Sequence, residues 1–146
     1  MVRIPLFIPI LVAILGIGCS TADADDKSDC ANYKDAPGPS VLACNRVIKS
    51  GAFKGADLAG LYENLGSARA FMDDIDGAIE AYGQAVLADP TRVGSFFSRG
   101  YQWTRKGDYR RAISDYSEAI RLNPRHALAL LRRATSTNDL ANLNSR

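Results

Sequence analysis

Histidine is almost missing from this chain: His126 stands alone among 146 residues. With no second histidine there is no pair to hold a catalytic metal. Cysteine occurs three times and tryptophan once, which leaves little further material for a metal centre. There is no G-x-S-x-G elbow, no phosphate-binding loop and no G-x-G-x-x-G, so the common nucleophile and nucleotide signatures are missing. Neither sign of charge dominates; the formal net charge of +2 gives no argument for nucleic acid. Glycine and proline together make 18 of the 146 residues and aromatics 8%, which excludes collagen. The hydrophobic fraction of 47% and charged fraction of 23% are those of a soluble globular chain, and exclude a wholly disordered or multi-span membrane protein. The length allows one domain.

Residues 1–24 stand apart. Arg3 precedes an apolar run from Ile4 to Ile17, interrupted by Pro5, Pro9 and Gly16. Those 14 residues fall short of the ~20 that an apolar helix needs to cross a bilayer. A charged start, a short apolar stretch and small residues after it make a secretory signal. Ala22-Asp23-Ala24 fits the A-x-A cleavage pattern, which makes Asp25 the mature N-terminus. An uncleaved membrane anchor is one alternative. A second comes from Leu15-Gly16-Ile17-Gly18-Cys19, which resembles a bacterial lipoprotein signal with Cys19 as the lipidated residue. Gly16 departs from that pattern, which prefers a larger aliphatic residue there. Each of the two cleavages leaves Cys30 and Cys44 as an even pair, and export favours a disulfide between them. The alternative is two unpaired thiols, one exposed and one buried.

The rest of the chain is organised by an internal repeat. Residues 59–92 align beneath 93–126 at a shift of 34. Leu65-Gly66 meets Arg99-Gly100, Asp74-Ile75 meets Asp108-Tyr109, and Ala78-Ile79 meets Ala112-Ile113. Tyr82 meets Tyr116, Ala85 meets Ala119, and Asp89-Pro90 meets Asn123-Pro124. Phe96, Gly100 and Trp103 recur at helical spacing, Gly107-Asp108 breaks the pattern, and Ala112 to Ile120 form a second apolar stripe. Each unit therefore reads as helix, tight turn, helix. The alanines let helix axes approach closely, and Tyr82 and Tyr116 fill the space between.

Period and pattern resemble the tetratricopeptide repeat, whose signature is W-x2-L-G-x2-Y, A-x3-F, A, P. One unit supplies Tyr62, Leu65, Gly66, Ala78, Tyr82, Ala85 and Pro90; the other supplies Phe96, Gly100, Trp103, Ala112, Tyr116, Ala119 and Pro124. Arg69 replaces the usual aromatic and Arg99 the usual leucine. The resemblance implies an all-α chain, a short helix-turn-helix solenoid of two full repeats with flanking helices. Upstream, Val41, Leu42, Val47 and Ile48 predict a helix over Pro39 to Ser50 that stops at Gly51. Residues 25–38 read as irregular. Downstream, residues 126–140 read as a closing helix over the apolar face of the second repeat; a truncated third repeat with a frayed tail is the alternative. The domain plan is thus 1–24 signal, 25–58 N-terminal segment and helix, 59–126 repeats, and 127–146 closing segment. The cysteine arrangement is similar to that of exported bacterial proteins with these repeats.

Little of this is catalytic. His126 opens the closing helix, where a polar residue is expected anyway. Asp73, Asp74 and Asp76 lack the Gly and distal Glu of a calcium loop and read as a capping turn. The expectation is a non-enzyme with no cofactor and no metal. Residues 25–90 carry 6 basic and 11 acidic side chains, and residues 91–146 carry 11 basic and 4 acidic. That asymmetry can steer a charged partner or be consumed by pairing between the halves. The family uses a concave surface lined by the first helix of each repeat. Mapped onto this chain, that resemblance implies Glu63, Asn64, Ser67, Phe97, Ser98, Tyr101 and Arg132 as partner-binding residues. Chaperone-binding members grip a terminal carboxylate with lysine, asparagine and arginine; Asn64 and Arg132 match in part, while Glu63 and Phe97 do not. The expected partner is a protein or peptide, not nucleic acid, with a membrane engaged only through a Cys19 lipid anchor. The expected location is the periplasm or cell envelope. A lipid-anchored scaffold and a non-catalytic accessory subunit are the alternative roles, and the sequence leaves the oligomeric state open.

Overall fold

In the computed structural model, which describes residues 21–145, the chain is seven α-helices with no strand among the described residues. They run α1 Thr21–Ala31, α2 Pro37–Ser50, α3 Gly55–Phe71, α4 Ile75–Ala88, α5 Val93–Lys106, α6 Tyr109–Leu122 and α7 Ala127–Asn144. Each packs on the next, so the helices stack as an all-α solenoid. The α3–α4 and α5–α6 hairpins are the two sequence repeats.

The repeat residues do the packing. Ala78, Ala85, Ala112 and Ala119 are all fully buried, and a methyl side chain lets neighbouring helices close up. The Tyr82 and Tyr116 rings lie on Gly66 and Gly100 of the preceding helices. A Cβ added at Gly66 would stand 2.8 Å from Tyr82 Cε1, and one at Gly100 would stand 3.0 Å from Tyr116 Cε1. Gly66→Ala is therefore expected to destabilise the fold by about 1–2 kcal/mol, because overpacking a buried ring costs more than the ~1 kcal/mol of helix propensity gained. Thermal melting tests this; a variant as stable as the parent would refute the close packing.

The turns carry their own chemistry. The Asp74 carboxylate accepts from Gly77 N at 2.9 Å and Asp108 from Arg111 N at 3.1 Å; both are N-caps. Gly107 ends α5 with φ +83°, and its repeat counterpart Asp73 takes φ +62°, a left-handed conformation that aspartate tolerates better than most residues. Arg69, the departure from the aromatic, donates from Nη1 to Gly77 O at 3.0 Å and latches α3 onto α4. Its counterpart Trp103 is half-buried instead, with the Arg111 guanidinium 4.6 Å above its ring.

Three expectations need correction. Residues 25–31 are helical, not irregular, because α1 is held from outside. Cys30 is disulfide-bonded to Cys44, and Asp26 accepts from Arg46 Nε at 2.8 Å. Second, α2 begins at Pro37 rather than Pro39, with a proline in the first helical turn, where no amide is missed; Gly51 does end it, with φ +70°. Third, α7 runs to Asn144. The repeat motif fades after Thr135, but Ser136 is fully buried, within 3.4 Å of Thr104, and Leu140 is half-buried.

α1 and α2 form one more hairpin before the repeats. Cys44 lies 34 residues before Ala78, so it holds in α2 the place that alanine holds in α4 and α6. Cys30, Cys44 and Val47 join Leu61, Leu65 and Ala81 in one apolar core. At the other end, α7 starts in phase with a repeat, yet Leu130, at the place of Tyr62 and Phe96, is 40% exposed.

Candidate functional site

A groove of about 600 Å³ opens along the side where α3 and α5 lie next to each other. α3 contributes Ser67, Ala70 and Phe71; α5 contributes Phe97, Ser98, Tyr101, Gln102 and Arg105; Tyr82 of α4 lies at the base. Ser67 and Tyr101, and likewise Phe71 and Arg105, are 34 residues apart, so the groove is the same helical face presented twice. One end is walled by Tyr33 and Lys34 from the loop between α1 and α2.

The aromatic rings differ in their freedom. Tyr82 is buried, with its hydroxyl 3.1 Å from Ser67 Oγ. Phe97 is half-buried: its ring lies 5.8 Å from Tyr116 and stacks on His126 at 5.0 Å. Phe71 and Tyr101 are exposed, at 60% and 38%. The Tyr33 ring tilts against Phe71 at 5.9 Å, and the Arg132 guanidinium stands 5.3 Å over Tyr101.

The lining is cationic. Lys34 and Arg105 belong to it, and no carboxylate does. Arg105 is bound to Asp73 and donates to Gln102 Oε1 at 2.9 Å.

Of the residues implied by sequence, Ser67, Phe97, Ser98 and Tyr101 come together in this groove, with Arg132 beside it on Tyr101. Glu63 and Asn64 lie in a neighbouring cleft instead. Glu63 is occupied internally: Arg92 Nε donates to it at 2.7 Å and the buried Ser95 hydroxyl at 2.6 Å. The sequence reading missed Tyr33, Lys34, Ala70, Phe71, Tyr82, Gln102 and Arg105. Phe71 and Arg105 were detectable one helical turn beyond Ser67 and Tyr101; Tyr33 and Lys34 carry no repeat signal at all.

The charge asymmetry is largely internal. Glu63–Arg92, Asp73–Arg105 and Asp76–Lys106 each join an acid of the first repeat to a base of the second. Asp74 is a helix cap, so the acidic turn is structural throughout. His126 is also a cap: its Nδ1 accepts from Ala129 N at 3.2 Å. Cys19 lies outside the described residues.

Burial pushes the Tyr82 and Tyr116 phenols above the usual range, against the opposing hydrogen bonds from Ser67 and Thr104. The folded chain thus holds the protonated phenols more tightly than the unfolded chain does. That stability is complete below the ordinary phenol value of ~10 and is lost as pH rises through the raised folded values. The melting temperature is expected to fall with pH above about 10, with a shallower slope in Tyr116→Phe. An equal slope in that variant would remove Tyr116 from the effect.

Comparison with known proteins agrees with this architecture. The tetratricopeptide repeat family model matches residues 59–92 and 104–126. No curated protein sequence matches the chain. Among solved structures, the tetratricopeptide domain of Arabidopsis OM64 superposes with a TM-score of 0.71 at 20% identity, covering 81% of this chain and 96% of that one. The second such domain of human RPAP3, solved with the HSP70 peptide SGPTIEEVD, gives 0.70 at 20% identity over 80% and 96%. A tetratricopeptide repeat protein from Parabacteroides merdae gives 0.75 at 18% identity over 84% of this chain and 48% of its own. At these identities the likeness is one of fold. The repeats at 59–92 and 93–126, their alanine and tyrosine packing and the matching family model establish that the chain belongs to the tetratricopeptide repeat family.

Proposed function

We propose that this chain is a non-catalytic binding module that grips a protein or peptide segment in the groove between α3 and α5. The observation that carries the reading is the exposed ring pair of Phe71 and Tyr101 in a groove of about 600 Å³. Exposed aromatics beside a guanidinium are what interface hot spots are made of. The RPAP3 domain, of the same fold, is solved with a peptide. The functional variant to make is Tyr101→Ala, because Phe97→Ala would also strip the packing of Tyr116 and His126. Peptides selected from a random library on the intact chain are expected to bind Tyr101→Ala at least about tenfold more weakly, the scale of one hot-spot residue, at unchanged melting temperature. Equal affinity would exclude the groove.

The setting we infer is the cell envelope. Support comes from the signal-like residues 1–24 and from a disulfide, which persists in oxidising compartments. No helix among the described residues is long and apolar enough to cross a membrane. Cleavage after Ala24 would retain both Asp26 and Cys30, the residues that anchor α1. Processing at Cys19 would make the chain a lipid-anchored scaffold instead. Intact mass of the protein from envelope extract separates the two: a chain starting at Asp25, or a lipid-bearing chain starting at Cys19.

A further inference from the structure

We propose that Tyr33 and Lys34, outside the repeats, form the selective end of the groove and take an acidic side chain of the bound peptide. This rests on the groove being the binding site. The repeats supply most of the groove, but one end is closed by the loop between α1 and α2. The loop is fixed in place from several directions. Cys30, three residues before Tyr33, is disulfide-bonded to Cys44, and the fully buried Ser40 donates to Cys30 O at 2.7 Å. Asn32 N donates to Asp29 O and Ala36 N to Asn32 O, both at 3.1 Å. The Tyr33 ring rests on Phe71 at 5.9 Å, which sets the loop against the groove's exposed aromatic.

The electrostatics of that end differ from those of the rest. Arg105 is already bound to Asp73, and Arg132 lies flat over Tyr101. Lys34 is exposed and forms no ion pair or side-chain hydrogen bond among the described residues. Its neighbour Asp35 is not part of the lining, and no other carboxylate is. An uncommitted ammonium beside an aromatic wall, with no acid to neutralise it, fits a carboxylate next to an apolar or aromatic residue. Like-charge juxtaposition disfavours a basic segment in the same place.

The test uses the intact oxidised chain and two fluorescent hexapeptide pools. One is built from Trp, Tyr, Gly and Glu; the other has Lys in place of Glu. The Glu pool is expected to bind at least about tenfold more tightly. Lys34→Glu is expected to abolish or reverse that preference without changing the melting temperature, while Lys34→Arg keeps it. Tyr101→Ala is expected to weaken both pools together. If both pools bind equally and Tyr101→Ala weakens both, the groove reading stands and this inference is wrong. A Glu preference that survives Lys34→Glu also overturns it. If neither pool binds, the groove reading itself falls, and the inference with it.

Discussion

Asp115→Ala is expected to lower the stability of the fold by about 2–3 kcal/mol, and adding Arg99→Leu to the same chain is expected to restore most of that loss. Arg99 donates to Asp115 through Nε at 2.8 Å and Nη2 at 2.6 Å. The carboxylate side chain is only 7% exposed and the guanidinium side chain 24%. Removing one member leaves the other charged, desolvated and unpaired; the full penalty of ~3–5 kcal/mol is reduced here because the arginine keeps some water. The double change is safe because the molecule already contains its result. The positions 34 residues earlier are Leu65 and Ala81, both buried in an apolar core. The same two places in the repeat are thus filled once by an apolar pair and once by an ion pair. Urea denaturation of the parent, both single variants and the double variant closes the cycle. Single losses that simply add in the double variant would show that the two side chains do not depend on each other.

That substitution also shows what a sequence reader gains and loses from a repeat. Arg99 in place of leucine looks like an isolated departure when one position is read at a time. Its compensation, Asp115 in place of Ala81, lies on the next helix and becomes visible only when the partner position is known. Arg69 and Trp103 make the same point: Arg69 bonds the Gly77 carbonyl, while Trp103 lies under Arg111, the residue at the place of Gly77. Positions that pack by size were legible from spacing, because a 34-residue period returns the same helical face to the same neighbour. Ala78, Ala85, Ala112 and Ala119 therefore needed no structure to be placed.

The groove was legible only where it follows the period. Ser67, Ser98 and Tyr101 come from the repeat frame. Phe97 does too, but its stacking on His126 depends on a turn 29 residues away and divides its ring between wall and core. Glu63 sits at a groove-lining place in the frame and is withdrawn by Arg92 and Ser95. The excess of acid before residue 91 and of base after it signalled such pairing in general, without naming partners. Tyr33 and Lys34 were invisible because their position comes from a covalent bond and not from a periodic face.

That bond carries the other large effect. Cys30→Ser with Cys44→Ser is expected to cost about 2–5 kcal/mol and to release α1 and its loop while leaving α3 to α7 in place. The reason lies in the composition of α1. Its eleven residues, TADADDKSDCA, have no apolar stripe to bury, and a helix without one has no side to pack. Among residues 24–31, Cys30 is the only buried one. The disulfide thus replaces the apolar face that α3 and α5 use. The Asp26–Arg46 pair adds little, since its arginine is 57% exposed and such surface pairs contribute ~0–1 kcal/mol. Alanine buried in α4, α6 and α7 needs no help from α1, so the loss should stay local. Hydrogen exchange measures this directly. Amides of residues 25–36 are expected to lose protection in the double-serine variant, and those of residues 59–126 to keep it. The Glu-over-Lys peptide preference assigned to Lys34 should fade with the first group, because its ammonium would no longer be held at the groove. Unchanged protection in α1 would mean that packing alone positions this helix, and the disulfide would lose its role in building the site.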